Sequence, residues 1–281
     1  MANLYLICAY VLSGVIGLCV GSFLNVVIYR LPNGMSLAKP SSHCPACKYE
    51  LRWYDNIPVL SYLVLGGKCR SCKTRISFRY AAVEIVNAAL WLLCTFLFWE
   101  KSIPLACIYM IVSSVFICVF FIDLEHKLIF DRFQIILLVL GAASIFLDKD
   151  YGWLSHIVGG VAGFAVFYLV SLLFEKLCKK EGLGGGDVKL AGVVGLLLGW
   201  EKLLLALLVA TIPAAVIMLI INGVRQKNAE ADGNSGDKNI NDAEQDEKRQ
   251  YPFAPFLVIG FSVAMFFGTR IIGWYLSMLG L

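Results

Sequence analysis

The chain has 281 residues, of which 59% are hydrophobic and 16% charged, and its mean hydropathy is +0.76. Soluble domains use roughly 45–50% apolar residues, so this composition excludes a soluble globular protein and predicts an all-α polytopic membrane protein. The net charge of +4 reflects where basic residues sit along the chain, and no nucleic-acid-reading module accompanies it.

A membrane-spanning helix needs about 20 mostly apolar residues. Eight segments approach or meet that length: 4–28, 80–99, 104–122, 133–147, 154–174, 188–200, 202–222 and 253–280. The sixth is short, and only Gly199-Trp200-Glu201-Lys202 divides it from the seventh. The first is too long for the apolar core of a signal peptide and lacks a basic start, so we read it as a span. Between spans, Lys and Arg collect on alternate sides. Lys101, Lys149, Lys202 and Arg270 fall on one side and the other twenty on the opposite one. The positive-inside rule makes the rich side cytoplasmic and places both termini outside. Three regions follow: a first transmembrane helix (1–30), a cytoplasmic loop domain (31–79) and a transmembrane domain (80–281).

Near the end of the first span, Gly21, Ser22 and Asn25 are small or polar within an apolar helix, the composition of a helix–helix contact. The loop 31–79 is too small to fold securely on an apolar core alone. It contains Cys44-Pro45-Ala46-Cys47 and Cys69-Arg70-Ser71-Cys72, two CxxC pairs 21 residues apart. Each pair can offer two thiolates to one tetrahedral ion, so Cys44, Cys47, Cys69 and Cys72 are the expected ligands of a structural zinc. Disulfides are the competing pairing, and a reducing cytoplasm disfavours them. His43 is a bystander once four thiolates are present. The other six cysteines, without paired spacing, are expected as small core residues.

Glu84 lies one turn into the second span, where a carboxylate is costly; the interfacial Arg79 is its expected partner. After the third span come Asp123, Glu125, His126, Lys127, Asp131 and Arg132 in one short connection. Asp123 is the acid placed deepest, and Asp131 is expected to pair with Arg132. Residues 223–251 are polar and poor in large apolar side chains, the composition of a disordered loop.

The run Gly182-Leu183-Gly184-Gly185-Gly186-Asp187-Val188-Lys189-Leu190 ends in an acid at the start of an apolar segment. Its glycines suit positive φ or a close backbone approach, and Asp187 falls in a first helical turn, where the helix dipole favours negative charge. Two carboxylates held together share a proton, so one acts as base toward a water while the other polarises a carbonyl. The sequence has no GxSxG or HExxH and only three histidines, so serine and zinc hydrolases lack their parts. The rival is a transporter in which Asp123 and Asp187 carry protons or cations. Transporters tend to place such acids near mid-membrane within internal repeats; here both are at the border and no repeat is visible.

The ordered set Gly21-Ser22-Phe23-Leu24-Asn25-Val26-Val27-Ile28-Tyr29-Arg30-Leu31-Pro32, the paired CxxC motifs with Trp53 to Tyr62 between them, Gly66-Gly67-Lys68-Cys69, Asp123 with Asp131, and Gly184-Gly185-Gly186-Asp187-Val188-Lys189 closely resembles the bacterial type IV prepilin peptidases of the GxGD membrane aspartic protease family. The resemblance covers nearly the whole chain. It implies that Asp123 and Asp187 are the catalytic pair and that the substrate is a prepilin or pseudopilin. The basic leader would be cut after a glycine on the cytoplasmic face of the bilayer. It also implies methylation of the new amino terminus, usually phenylalanine, from S-adenosylmethionine, with Gly67 and Lys68 the candidate contacts for that donor. Three motifs depart from the family's pattern: Ile129-Phe130-Asp131 stands where Ile-Pro-Asp is usual, Arg79-Tyr80-Ala81 where Arg-Tyr-Pro is usual, and Phe253-Ala254-Pro255-Phe256 where Phe-Gly-Pro-Phe is usual.

Overall fold

The structure is a computed structural model that describes residues 2–148, 151–178, 184–231 and 253–280. The described residues are helical apart from turns and two isolated β-bridges. In chain order the helices are α1 (Ala2–Arg30), α2 (Leu60–Val64), α3 (Arg79–Phe98), α4 (Ile103–His126), α5 (Asp131–Leu147), α6 (Trp153–Cys178), α7 (Gly185–Leu198), α8 (Trp200–Ala231) and α9 (Ala254–Met278). All but the short α2 coincide with the eight apolar segments. Six of them, α1, α3, α4, α6, α8 and α9, are long and apolar enough to cross a membrane; α5 has 17 residues and α7 has 14. The protein is therefore a multi-pass membrane protein. The α7/α8 boundary falls at Gly199, whose φ of +82° suits glycine best and turns the chain in one residue. Helix α8 continues through Ala231, into the segment expected to be a disordered loop; the rest of that loop lies outside the described residues.

The chain folds as two compact units, Met1–Ile122 with Phe146–Lys149, and Asp123–Ile145 with Asp150–Leu281. In the first, α1 packs along α3 through glycines. A Cβ on Gly17 would stand 2.9 Å from Ala88 Cα, and one on Gly21 2.7 Å from Glu84 Cα. Polar groups close the same seam, as the sequence led us to expect. Asn25 Nδ2 donates to Tyr80 O (3.0 Å), Asn87 Nδ2 donates to Gly17 O (2.7 Å), and the Ser114 hydroxyl of α4 donates to Asn87 Oδ1 (2.7 Å). In an apolar surrounding each such pair removes a donor and an acceptor that would otherwise be unsatisfied. Glu84 does not pair with Arg79: its carboxylate accepts the Val59 N–H (2.7 Å).

Loop 31–79 is built from two knuckles of the same design. In each, the first cysteine's N–H donates to the carbonyl five residues on (Cys44 to Tyr49, Cys69 to Thr74, both 2.9 Å). The lysine after the second cysteine, Lys48 or Lys73, adopts φ +59°. Isolated bridges His43–Glu50 and Lys68–Arg75 close the two turns. Between the knuckles, buried Asp55 accepts Arg70 Nε (2.6 Å), the Tyr49 hydroxyl (3.1 Å) and the Arg52 N–H (3.3 Å). Burial opposes its ionisation, but the Arg70 guanidinium and the two other donors outweigh that and hold the carboxyl below the usual range.

In the second unit α6 packs on α7, and α8 on α9. Gly159 and Gly195 face each other so closely that a Cβ on either would overlap the other's carbonyl oxygen, and a Cβ on Gly163 would stand 2.5 Å from Ala191 O. These glycines form Gly159-x-x-x-Gly163 and Gly195-x-x-x-Gly199, the small-residue spacing that lets apolar helices approach backbone to backbone.

Of the cysteines outside the knuckles, Cys94 and Cys118 are core residues, whereas Cys8, Cys19 and Cys107 lie on exposed helix faces. The expectation that they fill the core holds for Cys94 and Cys118 and fails for Cys8, Cys19 and Cys107; the side chain of Cys178 lies outside the described residues. An apolar helix face needs no covering in a bilayer, so an exposed small cysteine there costs little.

Candidate active site and metal centre

Asp123 and Asp187 both belong to the second unit. Asp123 sits three residues before the end of α4, which Lys127 terminates with φ +54° and an N–H donated to Asp123 O (2.9 Å). Its side chain is buried and lies where the Ala254 N–H favours its anion, at the start of α9, where backbone donors have no helical partner and the dipole favours negative charge. Asp187 is in the first turn of α7, its N–H donating to Gly184 O (3.0 Å). The two carboxyls are within electrostatic reach of each other. Burial, and secondarily the charge of Asp123, push the Asp187 carboxyl up to about 7. Asp123 Oδ2 and Asp187 Oδ1 are both buried without a hydrogen-bond partner among the described residues.

Three contacts from the α4–α5 connection and α5 hold the turn that carries Asp187. Gln134 Nε2 donates to Gly186 O (3.0 Å), so the peptide plane whose nitrogen belongs to Asp187 is held at its oxygen as well. Lys189 Nζ pairs with Asp131 Oδ1 at 2.7 Å, which replaces the expected Asp131–Arg132 pair. Ile129 packs over Gly186, where a Cβ would stand 3.0 Å from the Ile129 Cβ. Close approach, rather than positive φ, is thus what the glycines supply here: Gly184 has φ −58° and Gly185 and Gly186 are helical. Gly182 and Leu183 lie outside the described residues. Sequence reasoning missed Gln134 and the Ala254 N–H. Gln134 could have been found as a polar residue one turn after Asp131 on an apolar helix.

The four knuckle cysteines meet at one place. Their sulfurs all lie within 4.8 Å of one another, with Cys44–Cys72 at 3.8 Å and Cys47–Cys69 at 3.9 Å. The cluster could hold a metal ion, and His43 stays out of it, its Nδ1 bonded to Ser41 O (3.0 Å). Gly67 has φ +66°, and a Cβ there would stand 2.8 Å from the Tyr62 hydroxyl. Lys68 is exposed beside it.

Comparison with known proteins identifies the family. The model for the bacterial peptidase A24 N-terminal domain matches residues 15–98, and that for the type IV leader peptidase family matches residues 110–219. A protein of Pseudomonas aeruginosa named prepilin leader peptidase/N-methyltransferase is 33% identical over 97% of this chain and 95% of its own. The chain belongs to the type IV leader peptidase family. A relative of the same name from Legionella pneumophila is 32% identical over 95% of this chain and 94% of its own. One from Myxococcus xanthus is 36% identical over 74% of this chain, which spans 61% of that longer protein. No solved structure matches. The second matched region contains both Asp123 and Asp187, and the first contains all four knuckle cysteines and Glu84.

Proposed function

We propose that this protein is a membrane aspartic endopeptidase that removes the basic leader of a prepilin or pseudopilin and N-methylates the new amino terminus. The observation that carries the reading is the pair of buried Asp123 and half-buried Asp187, each with one buried oxygen that has no partner among the described residues. Such a pair holds a single proton. Asp123, facing the N-terminus of α9, is the member suited to stay anionic and draw a proton from the attacking water. Asp187, whose carboxyl reaches about 7, donates a hydrogen bond to the scissile carbonyl. Water then attacks that carbon, the proton passes to the leaving amine, and no covalent intermediate forms. Cleavage is tested by incubating purified protein with a precursor peptide and identifying the products by mass spectrometry.

A pH dependence follows. Asp187 is protonated below about pH 7 and loses its proton above it, so kcat/KM for cleavage should fall on the alkaline side with a midpoint near that value. A profile that stays flat well into the alkaline range would exclude Asp187 as the acid.

Zinc is the ion that we propose for the loop domain. Zn–S bonds of about 2.3 Å in a tetrahedron set sulfur–sulfur edges of about 3.8 Å, which the Cys44–Cys72 and Cys47–Cys69 separations match. Its role is structural, since four thiolates leave no open position. Purified protein should contain about one zinc, and Cys69→Ser should lose it and expose residues 31–79 to protease, because such domains fold on their ion. Zinc-free protein with a protected loop would contradict this.

The methyl donor of the resemblance is S-adenosylmethionine. Lys68 is available to pair with a carboxylate of the donor or the substrate, whereas the turn geometry already accounts for Gly67. The positive-inside distribution supports an inner-membrane placement with the knuckles and the aspartate pair on the cytoplasmic face and both termini outside. The substrate's apolar segment lies in the bilayer, so its leader junction reaches the border where the pair sits.

A further inference from the structure

Within the first unit, the cytoplasmic ends of α1 and α3 enclose a polar cluster that the cleavage chemistry does not use. Glu84, on α3, is buried; its carboxylate accepts the Val59 N–H (2.7 Å), and the Ser22 hydroxyl is near enough to favour its charge. No cation lies within ion-pair distance of it among the described residues. A buried carboxylate without a cation, one turn inside an apolar span, is costly to maintain. The Val59 N–H occupies only part of its roughly four acceptor sites.

Asn25, buried on α1, adds a second unmet acceptor. Its Nδ2 donates to Tyr80 O, four residues before Glu84 on the same helix, while its Oδ1 is buried with no partner among the described residues. Gly21 keeps the two helices in contact at this level, since a Cβ there would meet the Glu84 backbone. A carboxylate and an amide oxygen, both able to accept hydrogen bonds, thus belong to one α1–α3 seam.

The loop is also held here at a cost. Val59 has φ +61° and ψ −46°, and the Leu60 N–H donates to Pro58 O (2.6 Å); this is a γ-turn of the strained kind, with a β-branched residue at its centre. The Val59 N–H is the group that this turn aims at Glu84. Backbone strain that the surroundings enforce tends to occur where a ligand is gripped.

We propose that Glu84 and Asn25 form the cradle for the primary ammonium of the cleaved substrate, the acceptor in methyl transfer. An α-ammonium brings one positive charge and three donors, which suit one carboxylate and one orphan amide oxygen. The depth agrees too: a chain whose apolar helix lies in the bilayer carries its first residue at the membrane border. Once bound, the ammonium gives one proton to Glu84. The freed nitrogen lone pair attacks the methyl carbon of the sulfonium donor, and the C–S bonding electrons leave with sulfur. A neutral thioether and a secondary ammonium result, and Glu84 releases its proton to solvent.

The inference rests on the methyl-transfer half of the function proposed above, and the test separates the two. Glu84→Gln keeps an oxygen to accept the Val59 N–H but removes the charge. With a synthetic mature peptide and labelled S-adenosylmethionine, the KM for that peptide should rise about 10- to 100-fold, the loss expected of a charged hydrogen bond, and kcat for methylation should fall as well, because glutamine cannot take the ammonium proton. Cleavage of the precursor and zinc content should stay at the wild-type level, which a purely structural role for Glu84 does not predict. Should Glu84→Gln fail to accumulate, Asn25→Ala serves, with the same rise in KM expected. An unchanged KM, or equal losses of cleavage and methylation, overturns the cradle while leaving the bifunctional reading standing. Wild-type protein that methylates no mature peptide overturns the methyl-transfer reading, and the cradle with it.

Discussion

Replacing Asp123 or Asp187 by asparagine should abolish leader cleavage while the protein still accumulates in the membrane. Deleting one catalytic acid or base typically costs about 10²–10⁴ in rate, and in a pair that shares one proton neither member can cover for the other. Asparagine keeps the shape of the side chain and cannot ionise. Asp123→Asn keeps an oxygen to face the Ala254 N–H, so the start of α9 should hold its place. Initial rates on a precursor peptide measure the effect. Retention of near-wild-type turnover by either variant would remove that residue from the pair. Asp131→Asn, which loses only the exposed ion pair to Lys189, should cost far less, because exposed pairs contribute about 0–1 kcal/mol.

The other large effect is expected far from the chemistry. Gly195→Leu sets a branched side chain against the Gly159 carbonyl, and the obstacle is backbone, which cannot rotate aside. Overpacking of a core commonly costs about 1–3 kcal/mol; against a facing backbone the α6–α7 seam should open and the protein should fail to accumulate. Gly273→Ala is the control, since nothing lies within 4 Å of a Cβ there, and in a helix it should be neutral or stabilising by about 0.5–1 kcal/mol. Membrane abundance and thermal aggregation in detergent read both. A stable, abundant Gly195→Leu protein would mean that the two helices do not meet at these glycines.

Much of this was legible in the sequence because the signals are local. Apolar runs locate helices by length alone, and each of the eight appears. CxxC spacing specifies a four-sulfur cluster since two residues between cysteines return the chain on itself, and the sulfurs do converge. What was not legible depends on which helices meet. Gly159, Gly163, Gly195 and Gly199 have GxxxG spacing, yet spacing alone does not say which seam they form. Glu84 was expected to face Arg79 on its own helix, but its donor comes from the loop at Val59. Likewise Asp131 finds Lys189 across the fold rather than its neighbour Arg132. The run before Asp187 was expected to need either positive φ or close approach, and only contact with Ile129 decides for the second.

The central claim, that a carboxylate pair cleaves and a separate site methylates, is tested most directly by mass spectrometry of one incubation. Wild-type and Asp187→Asn proteins are each given labelled S-adenosylmethionine with precursor peptide, and in parallel with an already mature peptide. The wild type should shorten the precursor after a glycine and add a methyl to the new terminus. Asp187→Asn should leave the precursor whole yet methylate the mature peptide. A wild-type protein that does neither, and instead conducts protons across liposomes in an Asp123-dependent way, would contradict the account and make the aspartates parts of a transporter.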